Sequence, residues 1–151
     1  MTKIKKAIIP AAGIGSRFLP ITKTFPKELF PLVDIPCLQY ILQEAIDSGI
    51  EEFIFVISEE KESIKSYFTP DDELKKWLAA HGKEEYVNIL TKLETQAKYS
   101  FVYQNKPLGL GHAVSRAKEL IDDDYFMVIL PDDIINAEIP TCKQMIDIFA
   151  D

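Results

Sequence analysis

Arg17, Lys23 and Lys27 stand against a single acid, Glu28, in one stretch of the chain: PAAGIGSRFLPITKTFPKELFP, residues 10–31. A guanidinium offers a planar fork of donors suited to phosphate, and a lysine ammonium adds a point charge. Arg17 and Lys27 are therefore candidates to hold an anion, whereas Lys23 reads as a solvated side chain. Small residues at Ala11, Ala12 and Gly13 let a flat ring approach the main chain closely. Successive N–H groups through Gly13 and Gly15 can turn together toward phosphate oxygens. Four prolines keep the stretch out of a helix. The plainer reading is a glycine turn carrying solvated cations.

Two further stretches carry polar groups at telling places. In QNKPLGLGHA, residues 104–113, Gln104 can present a donor and an acceptor together to a pyrimidine edge. Gly109 removes a side chain that would block a base lying against the backbone. In LPDD, residues 130–133, two adjacent carboxylates end an apolar run. Mg²⁺ is typically held by one or two carboxylates plus phosphate oxygens and water. Successive strand residues point to opposite sides, so Asp132 and Asp133 should not share an ion. Read singly, Gln104 is a surface residue and the aspartates cap a turn.

Two familiar phosphate-binding patterns fail on the glycine stretch. A Walker loop needs Gly-Lys-Ser/Thr, and Gly15 is followed by Ser16-Arg17. A dinucleotide fingerprint needs a third glycine where Phe18 stands and a helix where Pro20 follows. An NAD-dependent oxidoreductase is accordingly disfavoured.

These stretches must be positioned by the elements before them. Apolar runs predict strands over 6–11, 53–57, 100–103 and 125–130. Helices are expected from Pro36 to Gly49, around Ile64–Phe68, around Leu74–Leu78, from Val87 to Ala97, and over 110–121 and 141–150. Strands alternating with helices call for a mostly parallel, Rossmann-like α/β sheet with helices on both faces and right-handed crossovers. Ligands bind such sheets beyond the carboxyl ends of the strands. The glycine stretch, residues 104–112 and the Asp132-Asp133 pair should converge there.

Bulk properties narrow the classes. At 151 residues the chain suits one domain with a sizeable core. A net charge of −7 disfavours a nucleic-acid binder but permits a small anionic ligand met by a local cationic cluster. No apolar run is long enough to span a bilayer, no signal-peptide core follows Met1, and the two cysteines are not metal-spaced, so a cytoplasmic protein is expected. Neither Cys37 nor Cys142 has a partner base to make it a nucleophile. His81 reads as a helix end, His112 as structural or loop-ordering, and Trp77 as core or subunit contact.

The pattern G-x-G-S-R-x-x-P-x-T-x-x-x-P-K-E-x-x-P resembles that of bacterial UTP–glucose-1-phosphate uridylyltransferases, or UDP-glucose pyrophosphorylases, within the sugar-1-phosphate nucleotidylyltransferases. The likeness continues in register through DIPCLQYILQEAIDSGIEEFIFVIS, YQNKPLGLGHAVSRAKELI and VILPDDII. It implies Mg-dependent uridylyl transfer from UTP to glucose 1-phosphate, giving UDP-glucose and pyrophosphate. It implies catalytic roles for Arg17, Lys27 and Asp132, with Asp132 as the metal ligand. Gln104 and Gly109 would meet the uracil, with Ala12, Gly13 and Glu28 around base and ribose, and Ala11 and Gly15 in the same loop. Members of that group are longer, so residues 1–151 are expected to form an N-terminal nucleotide-binding part, without the sugar-binding part. A homo-oligomer is expected at full length, and weak UTP binding with little turnover from this polypeptide. Thymidylyltransferases look instead like S-K-Q-L, D-G-L-A-Q-A and L-G-D-N, where this chain has PKEL, LGLGHA and LPDD. A non-catalytic nucleotide-binding or assembly domain is the alternative of another class.

Overall fold

A computed structural model of the chain describes residues 4–122 and 125–150. Strand β1 (Lys6–Pro10) runs into three one-turn 3-10 segments, at Ser16–Phe18, Ile21–Lys23 and Lys27–Leu29. A two-residue antiparallel hairpin, β2 (Pro31–Leu32) and β3 (Ile35–Pro36), then leads into α1 (Cys37–Asp47). Helix α1 starts one residue past Pro36, and its first amide donates to Phe30 O at 2.9 Å. Ser48 closes it by donating from its hydroxyl to Glu44 O, and Gly49 follows at φ +100°. After β4 (Glu52–Ile57) come α2 (Glu62–Phe68), α3 (Asp72–Ala80) and α4 (Glu84–Thr95). Strand β5 (Lys98–Tyr103), α5 (Leu110–Arg116), β6 (Met127–Val128) and α6 (Thr141–Ala150) complete the order.

Four strands form one all-parallel sheet in the order β5-β4-β1-β6. Side-chain alternation along the two central strands sorts the core into two layers. Ala7, Ile9, Phe53, Phe55 and Ile57 pack with Leu38 and Leu42 of α1 and Ile64 and Phe68 of α2. Ile8, Ile54 and Val56 face the other way, onto Ala113 and Ala117. Phe55 stacks on Phe68 and Phe101 with ring centroids 5.1 and 5.2 Å apart. Both faces are therefore covered, as the continuous apolar run FIFVI requires. Helices α3 and α4 are tied to one another by Lys75 Nζ to Glu94 at 2.5 Å, and Leu93 of α4 joins the core. Leu78 is buried, but Trp77 stays half exposed, stacked on His81.

Two expected elements are shorter than their apolar runs. The 125–130 run yields only Met127–Val128 as strand, at a sheet edge beside β1. Its exposed side chains Phe126, Val128 and Leu130 show that the outer face is not covered as a central strand's would be. The 110–121 helix ends as α-helix at Arg116 and tightens into a 3-10 turn at Lys118–Leu120. Its carbonyls near the end are taken by i→i+3 donors such as the Ala117 amide.

Candidate functional site

Every strand of the parallel sheet points its carboxyl end at the same rim, and the rim carries the polar groups. The loop after β1 begins with Ala11, whose N–H donates to Val56 O at 2.8 Å and whose side chain is enclosed. Ala11 thus extends the sheet and is not open to a ligand, unlike the expectation for it. The next amides, of Ala12, Gly13 and Ile14, donate to no carbonyl or side chain among the described residues. Three adjacent N–H groups at a sheet rim are thereby left available to an anion. Gly13 has an ordinary φ, and a Cβ there would meet nothing within 4 Å. Among the described residues nothing demands a glycine at 13, which leaves the main chain there open to a ligand. Gly15 is different. It sits at φ +71°, a Cβ would come 3.1 Å from Thr22 Cγ2, and its carbonyl accepts the Thr22 hydroxyl at 2.8 Å. Its need is met by the turn itself.

Lys27 and Glu28 lie on the same 3-10 turn and reach different strand ends. The Lys27 ammonium contacts Asp132 Oδ2 at 2.5 Å, bridging the β1 loop to the turn after β6. Glu28 is 1 % exposed, and both its oxygens accept from Lys61 Nζ at 2.8 Å, in the turn after β4. Glu28 therefore lies beneath the rim as half of a buried ion pair, not beside a ribose as the resemblance implied. Burial pulls the Lys61 ammonium below its ordinary pKa; Glu28 and the more distant Asp132 oppose that, while Lys27 adds to it. The four charges form two opposed pairs, Asp132 with Lys27 and Glu28 with Lys61. Arg17 and Lys23 are exposed and have no ion pair among the described residues, so they are free to meet an anion.

Asp133 does part from Asp132, although the cause is a turn and not strand alternation. It borders a separate cavity with Glu44 and Cys142, below α1 and α6. Burial, with Glu44 beside it, pushes the Cys142 thiol up to about 12, which leaves it inert as a nucleophile. No group of three or more His, Cys, Asp or Glu side chains among the described residues is placed to hold a metal ion. The Asp132 carboxylate, half exposed on the rim, suits a cation that takes one protein carboxylate and completes its shell with phosphate oxygens and water.

A cleft of about 360 Å³ opens at the other end of the rim. Ala12 and Gln104 line it among the expected residues, together with Ser58, Lys61, Lys23 and Phe25. Arg17, Lys27 and Asp132 lie outside it, with Lys27 held at Asp132 in the turn after β6. Three inter-strand spacings separate β5 from β6, roughly 14 Å, so the two groups of residues are reached together only by an extended ligand. Gln104 is 7 % exposed, and its amide nitrogen contacts Gly109 O at 3.1 Å and His112 Nδ1 at 2.8 Å. Gly109 holds φ +95°, ψ 174°, a backbone that only glycine adopts without strain.

The sequence reading missed Lys61 and Ser58. The signal was present, since β4 is the most continuously apolar strand and its carboxyl end must open on the same rim as the other three.

An all-parallel sheet with a glycine-opened loop, free amides and cations at one rim defines the α/β nucleotide-transferring class. The chain belongs to the nucleotidyl transferase family, whose model matches residues 6–151. It is 46 % identical over 147 residues to a UTP–glucose-1-phosphate uridylyltransferase of Bacillus subtilis, covering 97 % of this chain and 50 % of that protein. It matches a UTP-bound UGPase from Acinetobacter baumannii with a TM-score of 0.91 at 38 % identity, over 98 % of this chain and 53 % of the other. A UDP-glucose pyrophosphorylase complexed with UDP-glucose aligns with a TM-score of 0.79 at 37 % identity, over 98 % and 54 %. The chain thus spans about half the length of the curated relatives it matches. A divalent metal is in keeping with this family. Among the described residues no helix is long and apolar enough to cross a membrane.

Proposed function

We propose that residues 1–151 form the nucleotide-binding part of a UTP–glucose-1-phosphate uridylyltransferase, acting in the cytoplasm on UTP, glucose 1-phosphate, UDP-glucose and pyrophosphate. The observation that carries this reading is the layout of the rim: a cleft with an amide at the β5 end, and a lysine–carboxylate pair toward β6. A uracil fits the first, and a triphosphate reaching from it along the rim comes within range of the free amides, Arg17, Lys27 and Asp132. Relatives bearing UTP and UDP-glucose in their names support the same direction.

In the reaction, a phosphate oxygen of glucose 1-phosphate attacks the α-phosphorus of UTP in line, and pyrophosphate leaves. That oxygen is already ionised at neutral pH, so no histidine base is needed. Positioning and charge neutralisation carry the rate. Arg17 and the amides of Ala12–Ile14 hold the departing phosphates, and Lys27 meets charge at the α-phosphate. Asp132 is the carboxylate for Mg²⁺, which when bound neutralises phosphate charge. Catalysis proceeds in a homo-oligomer of the longer enzyme.

Thermal unfolding of this chain with Mg²⁺ and each of UTP, dTTP, CTP and ATP tests the reading. UTP should raise Tm most, and a ligand at 100 Kd adds about 2.7 kcal/mol. An unchanged Tm with UTP, or a larger shift with dTTP, counts against uridylyl transfer.

A further inference from the structure

The amide of Gln104 is gripped on both its N–H bonds, and the grip decides which face of the amide a ligand meets. Gly109 O is a carbonyl and can only accept, so the Gln104 atom 3.1 Å from it is the NH₂ nitrogen. The same nitrogen lies 2.8 Å from His112 Nδ1. An NH₂ group can only donate there, so Nδ1 accepts and the imidazole proton sits on Nε2. Flipping the amide would set its oxygen against the Gly109 carbonyl and against a ring nitrogen lone pair. Gly109 O cannot yield, because it also accepts the Ala113 amide at 3.1 Å as the first bond of α5. Gly109 and His112 are three residues apart at the start of that helix, on one face of its first turn. Two acceptors on a rigid element thus fix one side chain from the end of β5.

What remains for a ligand is Oε1 alone, which has no partner among the described residues and belongs to a side chain lining the cleft. We propose that His112 is a positioning residue that makes Gln104 an acceptor only, and so sets the site's preference for a base with an imino N–H. Uracil and thymine carry N3–H toward such an acceptor; cytosine presents a lone pair at N3 and is repelled. The inference rests on the nucleotide reading of the cleft. It assigns to His112 the choice between uridine and cytidine nucleotides, with no contact between the histidine and the nucleotide.

The experiment compares this chain with His112→Ala and His112→Asn by calorimetric titration with UTP and with CTP, in Mg²⁺. Asn sets an oxygen where Nδ1 stood and keeps both acceptors; Ala leaves the Gly109 carbonyl as the one acceptor holding the amide, so that the amide can turn over and offer its NH₂ to cytosine N3. The UTP-over-CTP preference should fall about tenfold in His112→Ala, as expected for one hydrogen-bond mismatch, and return in His112→Asn. An unaltered preference in His112→Ala, while the unsubstituted chain binds UTP, overturns the role of His112 and leaves the proposed function standing. No UTP binding by the unsubstituted chain overturns the function and this inference with it. A ligand-free readout is independent of both: long-range ¹H–¹⁵N spectra should show His112 protonated on Nε2, and a proton on Nδ1 overturns the lock.

Discussion

The two loop glycines separate a side chain missing for the ligand's sake from one missing for the chain's own. Gly13 has neither a left-handed φ nor a neighbour for a Cβ, whereas Gly15 has both. Gly13→Ala should therefore leave stability within about 0.5 kcal/mol and weaken UTP binding by titration calorimetry. Gly15→Ala should cost about 1–3 kcal/mol in urea unfolding, the range for a left-handed non-glycine residue. Equal stabilities for the two variants would contradict the distinction. Arg17 and Asp132 are open to the same test of purpose. Arg17→Ala removes no ion pair among the described residues and should weaken UTP binding without lowering Tm. Asp132→Asn should abolish the difference in UTP affinity with and without Mg²⁺, and a difference that survives would exclude Asp132 as the carboxylate for the cation.

The adjacent residues Lys27 and Glu28 staple three elements that are far apart in sequence. Lys27 ties the β1 loop to the turn after β6, and Glu28 ties it to the turn after β4. Removing one partner of a buried ion pair strands the other charge, which typically costs 3–5 kcal/mol. Glu28→Gln and Lys61→Met should each destabilise by about that amount, while the double variant recovers most of the loss by removing both charges; chemical denaturation of the three variants checks this. Lys61 also gives a pH signature. Burial holds its folded pKa below the ordinary 10.5, so as pH rises the folded chain releases this proton before the unfolded chain does. Its contribution must make stability rise with pH between that lowered value and 10.5. An NMR titration of the Lys61 side chain should find a midpoint under 10.5, and one at or above 10.5 would refute the burial argument.

Across the whole molecule, acidity and anion binding coexist because they are separated in space. The net charge is −7, yet Arg17 and Lys23, without an ion pair among the described residues, lie in the loop after β1. The rim itself is set by topology: with the order β5-β4-β1-β6 and every strand parallel, Gln104 and Asp132 lie at opposite ends of one edge. A ligand bridging them has to be long. Uridine, lacking the triphosphate, should occupy the cleft by Gln104 but be indifferent to Arg17→Ala. Equal weakening of uridine and UTP by that substitution, measured by titration, would mean the two ends of the rim are not used as separate subsites.

Much of this was legible in the residues themselves. The strand–helix alternation, FIFVI as a strand covered on both faces, the glycine-opened loop and the cations within it follow from local pattern, because period and turn chemistry are local properties. The length of β6 was not, since an apolar run does not reveal how many of its residues find a partner strand. Nor were the enclosure of Ala11, the Glu28–Lys61 pair or the hold of Gly109 and His112 on Gln104. Each joins elements distant in the chain or depends on which face a side chain takes, and burial and pairing of that kind are decided only when the parallel sheet brings its four strand ends to a common rim.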